Sequence, residues 1–256
     1  MKLSEVMKNP RLKVKRAESH INALMRDSSP LSRDLYEIRN GLHRSHVLLA
    51  QPDCFALTFT PKEPIKEHFG AIMGDAVNNL REALDYWMNN AVQCVGPAKK
   101  VHFPFAQERK DLETSPNYPA VHKAFPDAAK FIAKEIEPCR DTNLDLWAVT
   151  SLCNDNKHND FLPTVTVMNI DNINLRAGGI VMRNCGAGWD ANGPMTVIQS
   201  GVPISMQNNF STSVEIRFPQ GAVFENQPVI PTLANMSKVV SQTLNALEKF
   251  ITPYCK

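Results

Sequence analysis

A chain of 256 residues with 28 Lys and Arg against 26 Asp and Glu carries a formal net charge of +2. That length can bury a sizeable core as one large domain or two small ones, and so even a charge balance supplies no electrostatic footprint for duplex DNA or an anionic membrane. No stretch approaches the ~18 uninterrupted apolar residues of a spanning helix, and the opening MKLSEVMKNPRLKVKR lacks the apolar centre of a secretory signal, so a cytoplasmic protein is expected.

Taken in order, residues 11–27 predict a first helix. Val14, Ala17, Ile21, Leu24 and Met25 share one face, and Lys13, Lys15, Arg16 and Glu18 lie off it. Ser28-Ser29-Pro30 ends it. A three-stranded antiparallel meander is predicted over 34–60. Tyr36 and Ile38 mark the first strand, and Asn40-Gly41 reads as a tight hairpin turn because both positions tolerate positive φ. Val47 and Leu49 mark the second strand, Gln51-Pro52-Asp53 a second turn, and Phe55, Leu57 and Phe59 the third.

Residues 67–95 predict one long central helix. Phe69, Ile72, Met73, Ala76, Leu80, Ala83, Leu84, Trp87, Met88, Ala91 and Val95 recur in steps of three and four, and Gly96-Pro97 ends the run. Rotation by about 100° per residue puts Gly74, Asn78, Arg81 and Asp85 on one flank and Asn79, Tyr86 and Asn90 on the other. Arg81 and Asp85, at i and i+4, are spaced for a charge-assisted pair. Two readings of that pair stand. On a solvated flank it is worth under ~1 kcal/mol; buried against a neighbour, it needs a structural or functional reason.

Residues 97–119 are Pro-rich and irregular. A helix or helix pair is predicted over 119–137, with Ala128, Phe131, Ile132 and Ile136 inward, and another from about 144 to 155, with Leu144, Trp147, Val149 and Leu152 buried. The latter runs into Asn154-Asp155-Asn156-Lys157-His158-Asn159-Asp160, a second polar concentration. Lys157 and His158 either decorate a helix C-terminus, where the dipole favours positive charge, or meet the Asn78/Arg81/Asp85 flank as part of one site.

From 163 to 230 short alternating runs (Val165–Val167, Ile173–Leu175, Ile180–Met182, Thr196–Ile198, Ile204–Met206, Val214–Phe218) separated by Gly and Asn predict an antiparallel β layer. None of the glycines sits between a strand and a following helix, so none cradles phosphate. A last helix over 232–251 returns to the first or the central helix. The six cysteines are scattered, without a Cys-x-x-Cys pair, and read as free and mostly buried thiols; with the histidines dispersed as well, no metal site and no cofactor are expected.

Gly74-Asp75, Asn79-Leu80-Arg81 and Ala83-Leu84-Asp85 resemble the Gly-Asp-x-x-His-Asn-Leu-Arg-Ser-Ala-Leu-Asp-His pattern of a widespread group of bacterial and phage proteins without an assigned activity. Phe103-Pro104 and the Leu146-Trp147 helix leading to Lys157-His158, where that group carries Asp-Lys-His-Arg, extend the resemblance over roughly residues 13–160. The group's two histidines are Asn78 and Tyr86 in this chain, and Asn156 and Asn159 replace its Asp and Arg. The Arg and His of the group's pattern also resemble the Arg-x4-6-His signature of HEPN ribonucleases. That implies a metal-independent ribonuclease or RNA-binding module. Tyr86 stands where the His belongs, and its pKa near ~10 makes a poor base, so such chemistry requires His158 to fold back beside Arg81.

The fold class expected is α+β: a helical core on the central helix, the N-terminal meander, and a C-terminal antiparallel β layer closed by the final helix. Residues 1–162 would form a helical domain with the meander, and 163–256 a β-rich region whose last helix packs back. The function expected is a binding or interaction role, with Asn78, Arg81, Asp85, Lys157, His158, Asn79 and Tyr86 as candidate site residues. Its partner would be a small ligand or a protein; RNA belongs to the alternative, and a homodimer is compatible with either.

Overall fold

The structure, a computed structural model, describes residues 1–28, 36–43, 54–61, 68–97, 100–158, 165–190, 194–207 and 210–255. The fold is α+β, with a three-stranded antiparallel sheet that includes the early strands, a second antiparallel sheet toward the C-terminus, and a final long helix. It divides into two compact units built from separated segments. Met1–Leu24, His68–Pro163 and Ile230–Lys256 form one, and Met25–Glu67 with Thr164–Val229 form the other. The boundary expected at 162/163 is thus only part of the division. The early strands cluster with the later β region, because their hydrogen bonds run to residues far along the chain.

The helical unit is organised on α2 (His68–Val95), an unbroken helix of 28 residues. Phe69, Met73, Ala76, Val77, Leu80, Ala83, Leu84, Trp87, Met88 and Ala91 are buried at helical spacing, whereas Val95, at the C-terminal end, is exposed. Helix α1 (Leu3–Ser28) begins eight residues earlier than its periodicity suggests and runs through Pro10. Proline has no N–H to give the carbonyl one turn back, so a mid-helix Pro orphans that oxygen. The orphan is Val6 O, and the Asn90 side-chain amide of α2 donates to it at 2.9 Å. Val6 is fully buried, so water is a poor substitute. Asn90→Ala should therefore destabilise the chain by about 1–3 kcal/mol, the cost of a buried polar group left unsatisfied. Urea denaturation checks this, and an unchanged midpoint would show that the carbonyl is served another way.

Helices α3 (Tyr118–Ala124) and α4 (Pro126–Phe131) form the expected pair, and a π-helical turn (Ile132–Ile136) continues the second. Glu137 closes that turn with φ 47°. Helix α5 (Leu144–His158) starts at Asn143, whose side-chain oxygen accepts from Leu146 N at 3.4 Å. Its inward residues are Leu146, Trp147, Ala148, Val149 and Leu152; Leu144, expected among them, is exposed because it lies in the first turn on the outer face. Helix α6 (Val229–Ile251) packs on α1, where Arg11 donates to Asn245 and Glu248 and Ser237 donates to Glu18. Its end is held by Phe125, Phe131, Phe250 and Tyr254, with the Phe131 and Phe250 rings stacked at 4.5 Å.

In the β unit, β1 (Tyr36–His43) and β2 (Cys54–Pro61) pair antiparallel from Tyr36↔Pro61 to His43↔Cys54. Asn40-Gly41 is therefore not a turn. Both residues sit inside β1 opposite Leu57 and Ala56, and the Asn40 amide donates to Ile204 O at 2.9 Å. The strand expected at Val47–Leu49 and the turn at 51–53 lie outside the described residues. The third described strand of this sheet is β5 (Met195–Ser200), which pairs with β2.

The second sheet is centred on β3 (Val165–Ala177), one continuous strand where two short ones were expected. It pairs with β4 (Ile180–Asp190), β6 (Ile204–Met206) and β7 (Ser211–Arg217). Register shifts around Ile173 absorb the irregularity that made it read as two. Asn172 and Asn184 take positive φ there, which Asn tolerates better than most residues, and Asn184 N donates to the Asn174 side chain. Leu57, Phe59, Ile170, Ile173, Leu175, Ala177 and Ile204 form the buried cluster of this unit.

Candidate functional site

Arg81, Asp85 and Asn89 form a row at i, i+4 and i+8 on α2, and the row clamps the segment that follows the helix. The Arg81 guanidinium meets Asp85 through two bonds, Nε to Oδ2 at 3.2 Å and Nη2 to Oδ1 at 3.3 Å. Asp85 also accepts from Phe103 N at 2.7 Å and contacts His102 Nδ1 at 3.2 Å. Arg81 Nη2 donates back to Phe103 O at 3.2 Å, and Asn89 accepts from Val101 N at 2.9 Å. Irregular backbone laid on a helix needs partners for its N–H and C=O groups; this row supplies them. The Arg81 and Asp85 side chains are only 11% and 19% exposed, so the pair is not on a solvated flank, and its bonds there hold the segment around Phe103.

Arg81 reaches α5 as well. Its Nη1 donates to Thr150 Oγ1 at 2.9 Å, and its guanidinium lies over the Phe105 ring at 4.4 Å. One turn earlier, Asn78 Oδ1 accepts from Cys153 Sγ at 3.0 Å. The flank of α2 that carries Asn78, Arg81 and Asp85 thus meets α5.

A cleft of about 570 Å³ opens beside this junction. Arg81, Phe105 and Trp147 line it, and Asp111 and Asp155 bring two carboxylates. Gln107, Asn117 and Asn154 contribute amides, and Thr114, Ser115, Thr150 and Ser151 contribute hydroxyls. Asn154 and Asp155 belong to the second polar stretch read from the sequence, so part of that stretch does share the cleft with Arg81. Ser115 is 7% exposed and its Oγ has no hydrogen-bond partner among the described residues, an expensive state for a buried hydroxyl unless something occupies it.

The other candidates fall elsewhere. Asn79 donates to Asp75 O of its own helix at 2.7 Å, and Tyr86 is exposed under the Lys13 ammonium on the side facing α1, where Lys13 also pairs with Glu82. Lys157 and His158 are in the last turn of α5, but their side chains lie outside the described residues. The segment 101–117, irregular except for a short 3-10 helix (Arg109–Thr114), contributes more than half of the cleft's lining residues and carried no signal beyond its prolines, since no periodicity marks such chain.

None of the six cysteines is in a disulfide among the described residues, and Cys54, Cys139 and Cys153 are buried. Burial pushes the Cys139 thiol up, and Cys94 is raised to about 11 by burial and then by the neighbouring Cys255. Thiols raised in this way stay protonated at neutral pH and are poor nucleophiles. Among the described residues no three His, Cys, Asp or Glu side chains are grouped to share a metal ion, and no helix is long and apolar enough to cross a membrane. No family model, no curated protein and no solved structure matches this chain.

Proposed function

We propose that this chain binds a small, uncharged or cationic polyhydroxylated ligand, of the sugar or amino-polyol class, in the cleft beside Arg81. The observation that carries the reading is the lining itself. Concave sites of ~300–1,000 Å³ with a few convergent polar groups and aromatic walls are the usual form of small-ligand sites, and this one has the volume and both kinds of group. Four of the five guanidinium N–H donors of Arg81 are directed at Asp85, Thr150 and Phe103 O. One remains to face a ligand, and Asp85 already balances the charge. Asp111 and Asp155 then leave the described lining acidic, which repels phosphate and suits hydroxyl or ammonium donors. The free Ser115 Oγ gives such a ligand one further partner.

The same saturation weighs against the ribonuclease alternative, in which Arg81 would stabilise phosphate charge beside His158. A thermal-shift panel of neutral sugars, amino sugars, nucleotides and single-stranded RNA tests the choice. Neutral or cationic polyols should raise the melting temperature, and Asn154→Ala with Asp155→Ala should weaken their binding at least ~10-fold, equivalent to ~1.4 kcal/mol. Stabilisation by nucleotides or RNA alone, or by no member of the panel, overturns the reading. RNA cleavage by the native chain that Arg81→Lys abolishes would establish the alternative.

A further inference from the structure

A second cavity, of about 410 Å³, lies on the helical unit between α3 and the α4–π-turn junction. Its chemistry is the reverse of the cleft's. His122, Lys130 and Lys134 bring three nitrogen groups to the lining, against the single carboxylate of Glu113. Lys130 and Lys134, at i and i+4, project from the same face, and neither makes an ion pair among the described residues. On the opposite wall the His122 ring stacks on Tyr118, centroids 6.0 Å apart. Tyr118 is 6% exposed as a whole residue, and its hydroxyl, which makes no hydrogen bond among the described residues, is not one of the buried unpartnered atoms, so it opens to the cavity. Burial, and after it the charge of Glu113, raises the phenol above its ordinary range, so it is a donor at neutral pH. Two exposed ammonium groups on one face repel each other, and the phenol at the wall of the same cavity has no protein acceptor among the described residues. A compact anion accepting from all three relieves both conditions. The wall that carries Lys134 is the π turn, in which Glu137 N bonds Ile132 O at 2.9 Å; such turns recur at functional sites.

We infer that this cavity, lined by Tyr118, His122, Lys130 and Lys134, is a binding site for a phosphate group, either free or carried as a phosphomonoester on a small molecule. The phosphate oxygens accept from the two ammonium groups and the phenol, and the imidazole adds a fourth donor at its edge. The volume exceeds what phosphate alone fills and leaves room for a small organic group against the Tyr118–His122 stack.

Calorimetric titration of the full chain with inorganic phosphate, glycerol 1-phosphate and succinate tests this. The native chain should bind glycerol 1-phosphate, and tighter binding than that of inorganic phosphate assigns the esterified form; equal binding assigns the free anion. Lys130→Met with Lys134→Met should weaken binding by at least ~10-fold, given the strength of charge-assisted bonds. Both lysines are exposed, so the variant should fold, which circular dichroism verifies. Tyr118→Phe should weaken binding several-fold, whereas Asn154→Ala with Asp155→Ala, in the other cleft, should leave it unchanged. Native affinity in the double lysine variant, preference for succinate over both phosphates, or no binding of either phosphate at about 10 mM, weaker than the millimolar range of minimal ligands, overturns the inference.

Discussion

Asp85→Ala should destabilise the helical unit by about 3–5 kcal/mol, the range for breaking a buried ion pair by removing one partner. The substitution deletes the acceptor of two Arg81 bonds and of the 2.7 Å bond from Phe103 N. It leaves a guanidinium that is 11% exposed without its counter-charge, and it frees the backbone of the segment that seats Phe103, a residue buried completely. Asp85→Asn keeps the shape and one acceptor oxygen and should cost less. Replacing both partners, Arg81→Met with Asp85→Leu, removes the stranded charge and should recover part of the loss, but not the Phe103 N–H bond. Urea denaturation of the three variants separates these contributions. A single-variant loss below ~1 kcal/mol, the value of an exposed pair, would show that the row on α2 is solvated in solution.

Leu84→Ala should cost about 2–5 kcal/mol, the range for Leu→Ala in a close-packed core. Leu84 is fully buried midway along α2 among residues of the same face, so the site has no rim through which to relax. Val95→Ala, at the exposed end of the same helix, should move the midpoint by less than ~0.5 kcal/mol. The contrast tests the assignment of α2 as the central element. Comparable losses at the two sites would mean that the C-terminal turn is covered and the apolar stripe rotated.

The helical elements were legible because a buried stripe of 3.6-residue period is a local signal. α2 carries it from Phe69 to Ala91 without interruption, and α6 does so from Leu233 to Ile251. The start of α1 was not legible, since Pro10 argues against a helix unless a partner exists for Val6 O, and that partner, Asn90, is 84 residues away. The same limit explains Asn40-Gly41. The dipeptide has turn chemistry, but its pairing with Leu57 and Ala56 is settled by the whole β1–β2 ladder. Strand β5 could not be assigned to the early sheet from any pattern, because register across about 140 residues leaves no local trace. Of the site, Arg81 and Asp85 were identifiable from spacing and composition. Their clamp on Phe103 was not, and neither were Asp111, in a short 3-10 helix (Arg109–Thr114), or Ser115 and Asn117, which follow it on irregular chain.

Ser237 donates to Glu18 across 219 positions of the sequence. α1 is thus made on a ribosome well before the helix that packs on it. At the ~5–20 residues per second of translation, the interval is roughly 10–45 s. Through that time the face of α1 around Val14 and Glu18 lacks the residues of α6 that pack beside it. This part of the interior cannot close until Val229–Ile251 has been made, and a nascent form that lacks that helix offers a greasy helical face to whatever holdase or aggregate meets it first.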